Sequence, residues 1–98
     1  MIGYEEAVSN YKRLYREVKT TMEIFKLQSL AELKGRSGEK SDELLKKVEV
    51  VIEQLWNLRG TLGKKWALDQ KPDMGKIEEI ADAVYTLMIF RDALRAAA

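Results

Sequence analysis

The side chains that could do metal or acid–base chemistry in this chain are carboxylates, lysines and tyrosines, because the sequence contains no histidine and no cysteine. That absence excludes Cys/His zinc sites, thiol catalysis, disulfides and Ser-His-Asp triads. Two carboxylate pairs have helical spacing, Glu49 with Glu53 and Glu79 with Asp82, so each pair projects from one helix face. Because carboxylate oxygens are ligands that Mg²⁺ takes in proteins, these four residues are the candidate metal ligands.

The segment from Lys76 to Phe90 resembles the second acidic helix of the all-α nucleotide pyrophosphohydrolases of the MazG type. Those enzymes carry E-x-x-D before an apolar helix, and Glu79 and Asp82 match that motif. The resemblance implies hydrolysis of nucleoside triphosphates with Mg²⁺ as cofactor. The family also carries E-x-x-E on the preceding helix, whereas Glu49 and Glu53 are spaced E-x-x-x-E and no E-x-x-E occurs in this chain. We favour the alternative, a solvated acidic first turn that complements the helix dipole, and therefore expect neither an enzyme nor a cofactor.

Basic residues cluster although the total charge is balanced, with 17 Lys+Arg against 16 Asp+Glu and a net charge of +1. The candidate nucleic-acid-binding residues are Lys12, Arg13, Arg16, Lys19, Lys64 and Lys65. Contacts from such residues to phosphates would give salt-dependent affinity. No recognition-helix signature accompanies them, and a solvated basic face is the alternative interpretation.

Apolar residues at helical spacing predict three helices, over about residues 5–34, 42–68 and 74–97. The first of these would be a rod of about 45 Å, which is long for so small a protein. A glycine-containing linker over 35–40 separates the first two helices, and Pro72 separates the last two.

Helix boundaries follow from the capping residues. Ser41 is expected to cap the second helix and Asp73 the third. Gly60 and Gly63 interrupt the apolar stripe of the second helix, and we favour a bent but continuing helix over a break at this point.

The predicted helices carry more apolar surface than one chain of 98 residues can bury. The first helix has a second apolar stripe, and the segment 83–90 is apolar on nearly all sides. The candidate interface residues are Ile24, Leu27, Ala31, Trp56, Tyr85, Ile89 and Phe90. We therefore expect an all-α chain that forms an oligomeric, in the simplest case dimeric, helical bundle.

Length and composition complete the prediction. The chain of 98 residues and 11.3 kDa is interpreted as one domain over 1–98, with 34% charged residues and no cysteine, a composition that suits a thermophile. No signal peptide or membrane span is evident, so we expect a cytoplasmic protein with no membrane partner.

The favoured function is a small assembly or adaptor protein acting through its homo-oligomeric surfaces, with a further protein partner left open. The alternatives are a nucleic-acid-binding accessory protein and the MazG-like hydrolase.

Overall fold

A computed structural model of the chain describes residues 2–69 and 73–96, with side chains described for all of these except 65–69. Within these residues the protein is all-α, as predicted, and contains no strand. The described residues form four α-helices rather than three. They are α1 (Tyr4–Ile24), α2 (Leu33–Arg36), α3 (Gly38–Asp69) and α4 (Met74–Ala96), and a 3₁₀ turn over Leu30–Glu32 leads into α2.

The three long helices run up, down and up. The side-chain amide of Asn10 donates to that of Gln54 at 3.2 Å, and the Lys47 ammonium lies 2.9 Å from the Glu17 carboxylate. Residue numbers therefore rise along α1 while they fall along α3, which makes this pair antiparallel. α3 is also antiparallel to α4, with which it forms the most extensive helix contact.

The core lies along the inner faces of α1, α3 and α4 and extends into the connection before α3. Its fully buried large side chains are Val18, Leu33, Leu44, Val48, Leu55, Ile80 and Leu87. The molecule measures 49 × 21 × 20 Å, and α3, at about 48 Å, spans its long axis. The long rod in this fold is therefore α3 and not the first helix.

The helix predicted over 5–34 ends at Ile24, because the chain reverses in a Schellman motif. The Leu27 amide donates to the Met22 carbonyl at 2.8 Å, and the Lys26 amide donates to the Glu23 carbonyl at 3.2 Å. Lys26 adopts the left-handed conformation that this motif requires, with φ of 53°. Glycine usually marks this position, so the sequence carried no stop signal here.

Replacing Lys26 with glycine is expected to raise the free energy of unfolding by about 1 kcal/mol, because glycine adopts a positive φ without steric cost. Lys34→Gly is the contrasting control, since Lys34 lies within the short helix α2 and a glycine there lowers helix propensity. Chemical denaturation of both variants measures the difference. A loss of stability in Lys26→Gly equal to that in the control would contradict the left-handed assignment.

The connection from α1 to α3 folds back over the end of the bundle. Leu30 and Leu33 are buried in the core of their own chain, which a straight helix to residue 34 could not achieve. This burial explains why the predicted 30-residue helix does not form. Because α1 ends at Ile24, Leu27 and Ala31 do not share a helix face with Ile24, contrary to the predicted second stripe.

α3 begins one turn earlier than predicted. The Ser37 hydroxyl accepts a hydrogen bond from the Lys40 amide at 3.2 Å, so Ser37 is the capping residue. Ser41 lies inside the helix and is buried, which corrects its predicted role as the cap. α3 then continues through Gly60 and Gly63 without a break, as we favoured.

The start of α4 agrees with the prediction. The Asp73 carboxylate accepts a hydrogen bond from the Lys76 amide at 3.1 Å, which is the expected N-cap. The helix is described as far as Ala96, so the predicted end at residue 97 lies outside the described residues. None of the helices in the described residues combines the length and apolar character needed to cross a membrane.

Candidate functional site

A shallow groove runs between α3 and α4 on one side of the bundle. Ile52 and Trp56 of α3 and Met88 of α4 provide its apolar surface, and its volume is about 320 Å³. Trp56 is 54% exposed although the neighbouring Leu55 is fully buried. The indole is covered on one side by the Arg59 guanidinium, which lies 5.5 Å from the ring centroid. This cation–π contact holds a large apolar side chain at the groove edge.

The outer face of α4 extends this apolar surface. Tyr85 is 68% exposed and Ile89 is 53% exposed. On a helical wheel of α4, with about 100° per residue, Tyr85 and Ile89 each lie within about 100° of Met88, which lines the groove. We call Trp56, Met88, Tyr85 and Ile89 together the apolar band. It extends from the edge of α3 across the groove and over the outer face of α4.

The apolar band exists because α4 is apolar on two opposite faces. Ile80, Val84 and Leu87 point into the core, where each is buried. Tyr85 and Ile89 lie on the other side of the same helix, and both are more than half exposed. The described residues cover only one of the two apolar faces of this helix, and exposed apolar patches of this kind mark interaction sites.

The remaining predicted interface residues are not part of this surface. Ile24 is 69% exposed but lies at the end of α1. Leu27, Ala31 and Phe90 are half-buried, and Leu27 and Phe90 pack against the core of their own chain. The Phe90 ring lies 5.9 Å from the ring of Tyr15 on α1. Of the seven predicted residues, the structure thus brings together Trp56, Tyr85 and Ile89.

Charged residues of opposite sign border the groove. Glu49 and Glu53 line its α3 edge, and Arg91 and Arg95 line its α4 edge. Arg95 pairs with Glu49 at 3.0 Å across the groove. The Arg91 guanidinium lies 3.3 Å from Asp92, its neighbour in sequence. Glu53 makes no ion pair with any residue that the structure describes.

The sequence pattern did not indicate a functional role for Met88, Arg91 or Arg95. Met88 belongs to the inward stripe by periodicity, and only the position of α3 reveals that it lines a groove. A signal for the arginines was nevertheless present. Their i,i+4 spacing on α4 matches that of Glu49 and Glu53 on the antiparallel α3.

The candidate metal ligands do not form a cluster. Glu49 is paired with Arg95, and the Glu79 carboxylate accepts a hydrogen bond from the Tyr4 hydroxyl. Among the described residues, no group of three or more acidic side chains is arranged to hold a metal ion. The hydrogen bond from Tyr4 to Glu79 also raises the pKa of this tyrosine to about 12, since ionised Tyr4 would face a carboxylate.

The candidate nucleic-acid residues divide into two places. Lys12, Arg13, Arg16 and Lys19 are exposed on α1. Lys64 lies on α3 ten residues beyond Gln54, the partner of Asn10, and so about 15 Å further along the bundle and past the start of α1. The side chain of Lys65 lies outside the described residues. The structure therefore separates Lys64 from the basic residues of α1.

Comparison with protein-family models, with curated proteins and with solved structures finds no match to this chain. The MazG resemblance therefore has no support beyond the residues of the segment that suggested it.

Proposed function

We propose that this protein is a small helical assembly protein that associates with copies of itself through the apolar band. The observation that carries the proposal is the exposure of three large apolar side chains on adjoining surfaces. Trp56, Tyr85 and Ile89 are each more than half exposed. Monomeric proteins scatter such residues singly, whereas a contiguous group indicates an interaction surface.

The composition of the band also supports association. Tryptophan and tyrosine are enriched among the residues that dominate binding energy, because each buries a large area at a low cost in side-chain entropy. Arg59 already restrains the Trp56 ring before binding, so less conformational freedom is lost on association. The charged residues Glu49, Glu53, Arg91 and Arg95 lie beside the apolar residues of the groove, and specific interfaces likewise combine apolar and polar parts.

The solution mass, measured by light scattering after size exclusion, tests the proposal. We expect the native chain to have the mass of two or more copies of 11.3 kDa. Ile89→Asp is expected to give a single copy, because association would bury an unpaired carboxylate. The fold should be retained, since Ile89 is exposed in the single chain.

Val50→Asp is the matched control for this experiment. Val50 is 53% exposed, the same fraction as Ile89, but lines the groove between α1 and α3 instead. The control variant should keep the native mass. A native chain that is monomeric at high concentration, or an Ile89→Asp variant with unchanged mass, would contradict self-association through the band.

The basic face of α1 favours a second candidate function, the binding of nucleic acid. Lys12, Arg16 and Lys19 are exposed within an arc of about 60°. None of them has an ion-pair partner among the described residues, and the Lys19 ammonium lies over the Tyr15 ring at 5.2 Å. Three unneutralised cations on one helix face are suited to contact successive phosphates.

Binding to duplex DNA at increasing salt concentration tests this second candidate. If all three cations contact phosphates, replacing them with glutamine should reduce the salt slope of log K by about 3. Glutamine removes the charge and has a helix propensity close to that of lysine and arginine, so α1 should be preserved. Absence of binding by the native chain at low salt would exclude the function, and an unchanged slope in the triple variant would exclude this face.

A further inference from the structure

The groove between α3 and α4 is charged asymmetrically, with its acidic residues on α3 and its basic residues on α4. The Glu49–Arg95 ion pair shows which residues of α3 and α4 lie at the same height along the bundle axis. Because α3 and α4 are antiparallel, Glu53 and Arg91, each four residues nearer the middle of the groove, are level with one another too. Trp56 and Met88 follow three residues further on.

Two copies can meet groove to groove about a two-fold axis that runs across the helices or along them. An axis across the helices places α3 against α3 and α4 against α4, so that acidic edges face each other and basic edges face each other. An axis along the helices places α3 of each copy against α4 of the other. Like charges that face each other in an interface cost binding energy. The axis along the helices, which brings opposite charges together, is therefore favoured.

We propose that the occupant of this groove is a second copy of the chain, related by a two-fold axis parallel to α3 and α4. This inference rests on the proposed function and specifies its partner arrangement. The helices α3 and α4 of both copies form an antiparallel four-helix core. Trp56 lies against Met88 of the second copy, and Glu53 lies at the height of Arg91 of the second copy.

The charges of the single chain are compatible with this arrangement. Glu53 makes no ion pair with a described residue and is free to accept one from another chain. Among the described residues, Arg91 forms an ion pair only with the adjacent Asp92, whose side chain is 69% exposed. Exposed pairs of this kind contribute little, so losing the contact with Asp92 on association costs little. A two-fold contact uses the same surface on both copies and therefore gives a closed dimer.

Charge reversal tests the arrangement. Glu53→Arg alone would set arginine against arginine twice in the dimer, and Arg91→Glu alone would set glutamate against glutamate twice. We expect the dimer dissociation constant of each variant to be about tenfold or more higher than that of the native chain. When the two variants are mixed in equal amounts, every contact becomes opposite in sign, and we expect a heterodimer with native affinity.

Light scattering and sedimentation of the single variants and their mixture measure these outcomes. Glu23→Arg and Lys12→Glu, which reverse exposed charges on α1, are the matched controls and should leave the mass unchanged. Circular dichroism establishes that the single variants are helical, and recovery of the dimer on mixing shows in addition that both are folded.

The outcomes separate this inference from the function on which it rests. If the native chain is monomeric, the proposed self-association itself fails. If the native chain is dimeric and Ile89→Asp is monomeric, but both charge-reversal variants remain dimeric, the function stands and the parallel two-fold axis is overturned. Single variants that dissociate but do not recover on mixing also overturn it.

The absence of native cysteine allows an independent measurement. In the proposed arrangement, chains carrying Glu53→Cys should cross-link to chains carrying Arg91→Cys and not to one another. Preferential cross-linking of Glu53→Cys with itself would indicate the axis across the helices and overturn the inference.

Discussion

Replacing Leu33 with alanine is expected to lower the free energy of unfolding by about 2 to 5 kcal/mol, as much as a substitution in the centre of a helical bundle. Leu33 opens the four-residue helix α2 in the connection between α1 and α3, yet its side chain is fully buried. Truncation to alanine removes apolar contacts and leaves a cavity that the surrounding helices fill only in part. A chain of this size has a stability of about 5 to 15 kcal/mol, so the loss is large.

Urea unfolding followed by circular dichroism measures this effect. Lys34→Ala is the control, because Lys34 is the next residue of the same short helix and is exposed. It should change the stability by less than about 0.5 kcal/mol. A small effect of Leu33→Ala would mean that the connection between α1 and α3 contributes little to stability, and that α1, α3 and α4 form the core without it.

Glu17→Gln is expected to lower the free energy of unfolding by about 1 kcal/mol at neutral pH, since Glu17 is the acceptor that joins α1 to α3. Its carboxylate lies 2.9 Å from the Lys47 ammonium and 3.0 Å from that of Lys40. The Glu17 side chain is 29% exposed, and the same two lysines also contact Glu43. A network that is partly shielded from water contributes more than a single exposed pair.

The pH dependence of stability identifies this network. The hydrogen bond from Lys47, followed by the bond and charge of Lys40, lowers the pKa of Glu17 below its ordinary value of 4.5. The folded state therefore binds the Glu17 proton less tightly than the unfolded state does. Its contribution is complete above about pH 4.5 and is lost as the pH falls through the lowered pKa.

The free energy of unfolding of the native chain and of Glu17→Gln, measured from neutral to acidic pH, should show this contribution of Glu17. The native chain should lose more stability than Glu17→Gln over that range, and the two curves should converge at low pH. Glu23→Gln is the control, because Glu23 is an exposed glutamate on the same helix with no ion-pair partner in the described residues. Parallel curves for the native chain and Glu17→Gln would show that the pairing with lysine does not stabilise the fold.

The helical class and some of the helix boundaries could be predicted, because these depend on residues close together in sequence. The apolar stripe of α3 continues through Gly60 and Gly63, and Asp73 caps α4 as its type and position indicated. The start of α3 was misplaced by one turn because Ser37 and Ser41 both precede acidic residues. Local capping signals of equal strength do not decide between two such positions.

The candidate site could be predicted only in part. Trp56, Tyr85 and Ile89 were among the candidate interface residues, and all three are exposed. Phe90 was assigned to the same surface but packs against the core beside Tyr15. Its place on an all-round apolar helix did not indicate which neighbour would cover it, since that depends on where α1 lies.

The sequence by itself determined that the chain is helical and which chemistries the missing histidine and cysteine exclude. The tertiary structure alone decided where α1 ends and which apolar surface remains uncovered. The reason is that both depend on contacts between distant segments. The chain leaves the helix at the left-handed Lys26 because Leu30 and Leu33 can then reach the core. No repeat of apolar residues contains that information, since the repeat itself continues past Ile24.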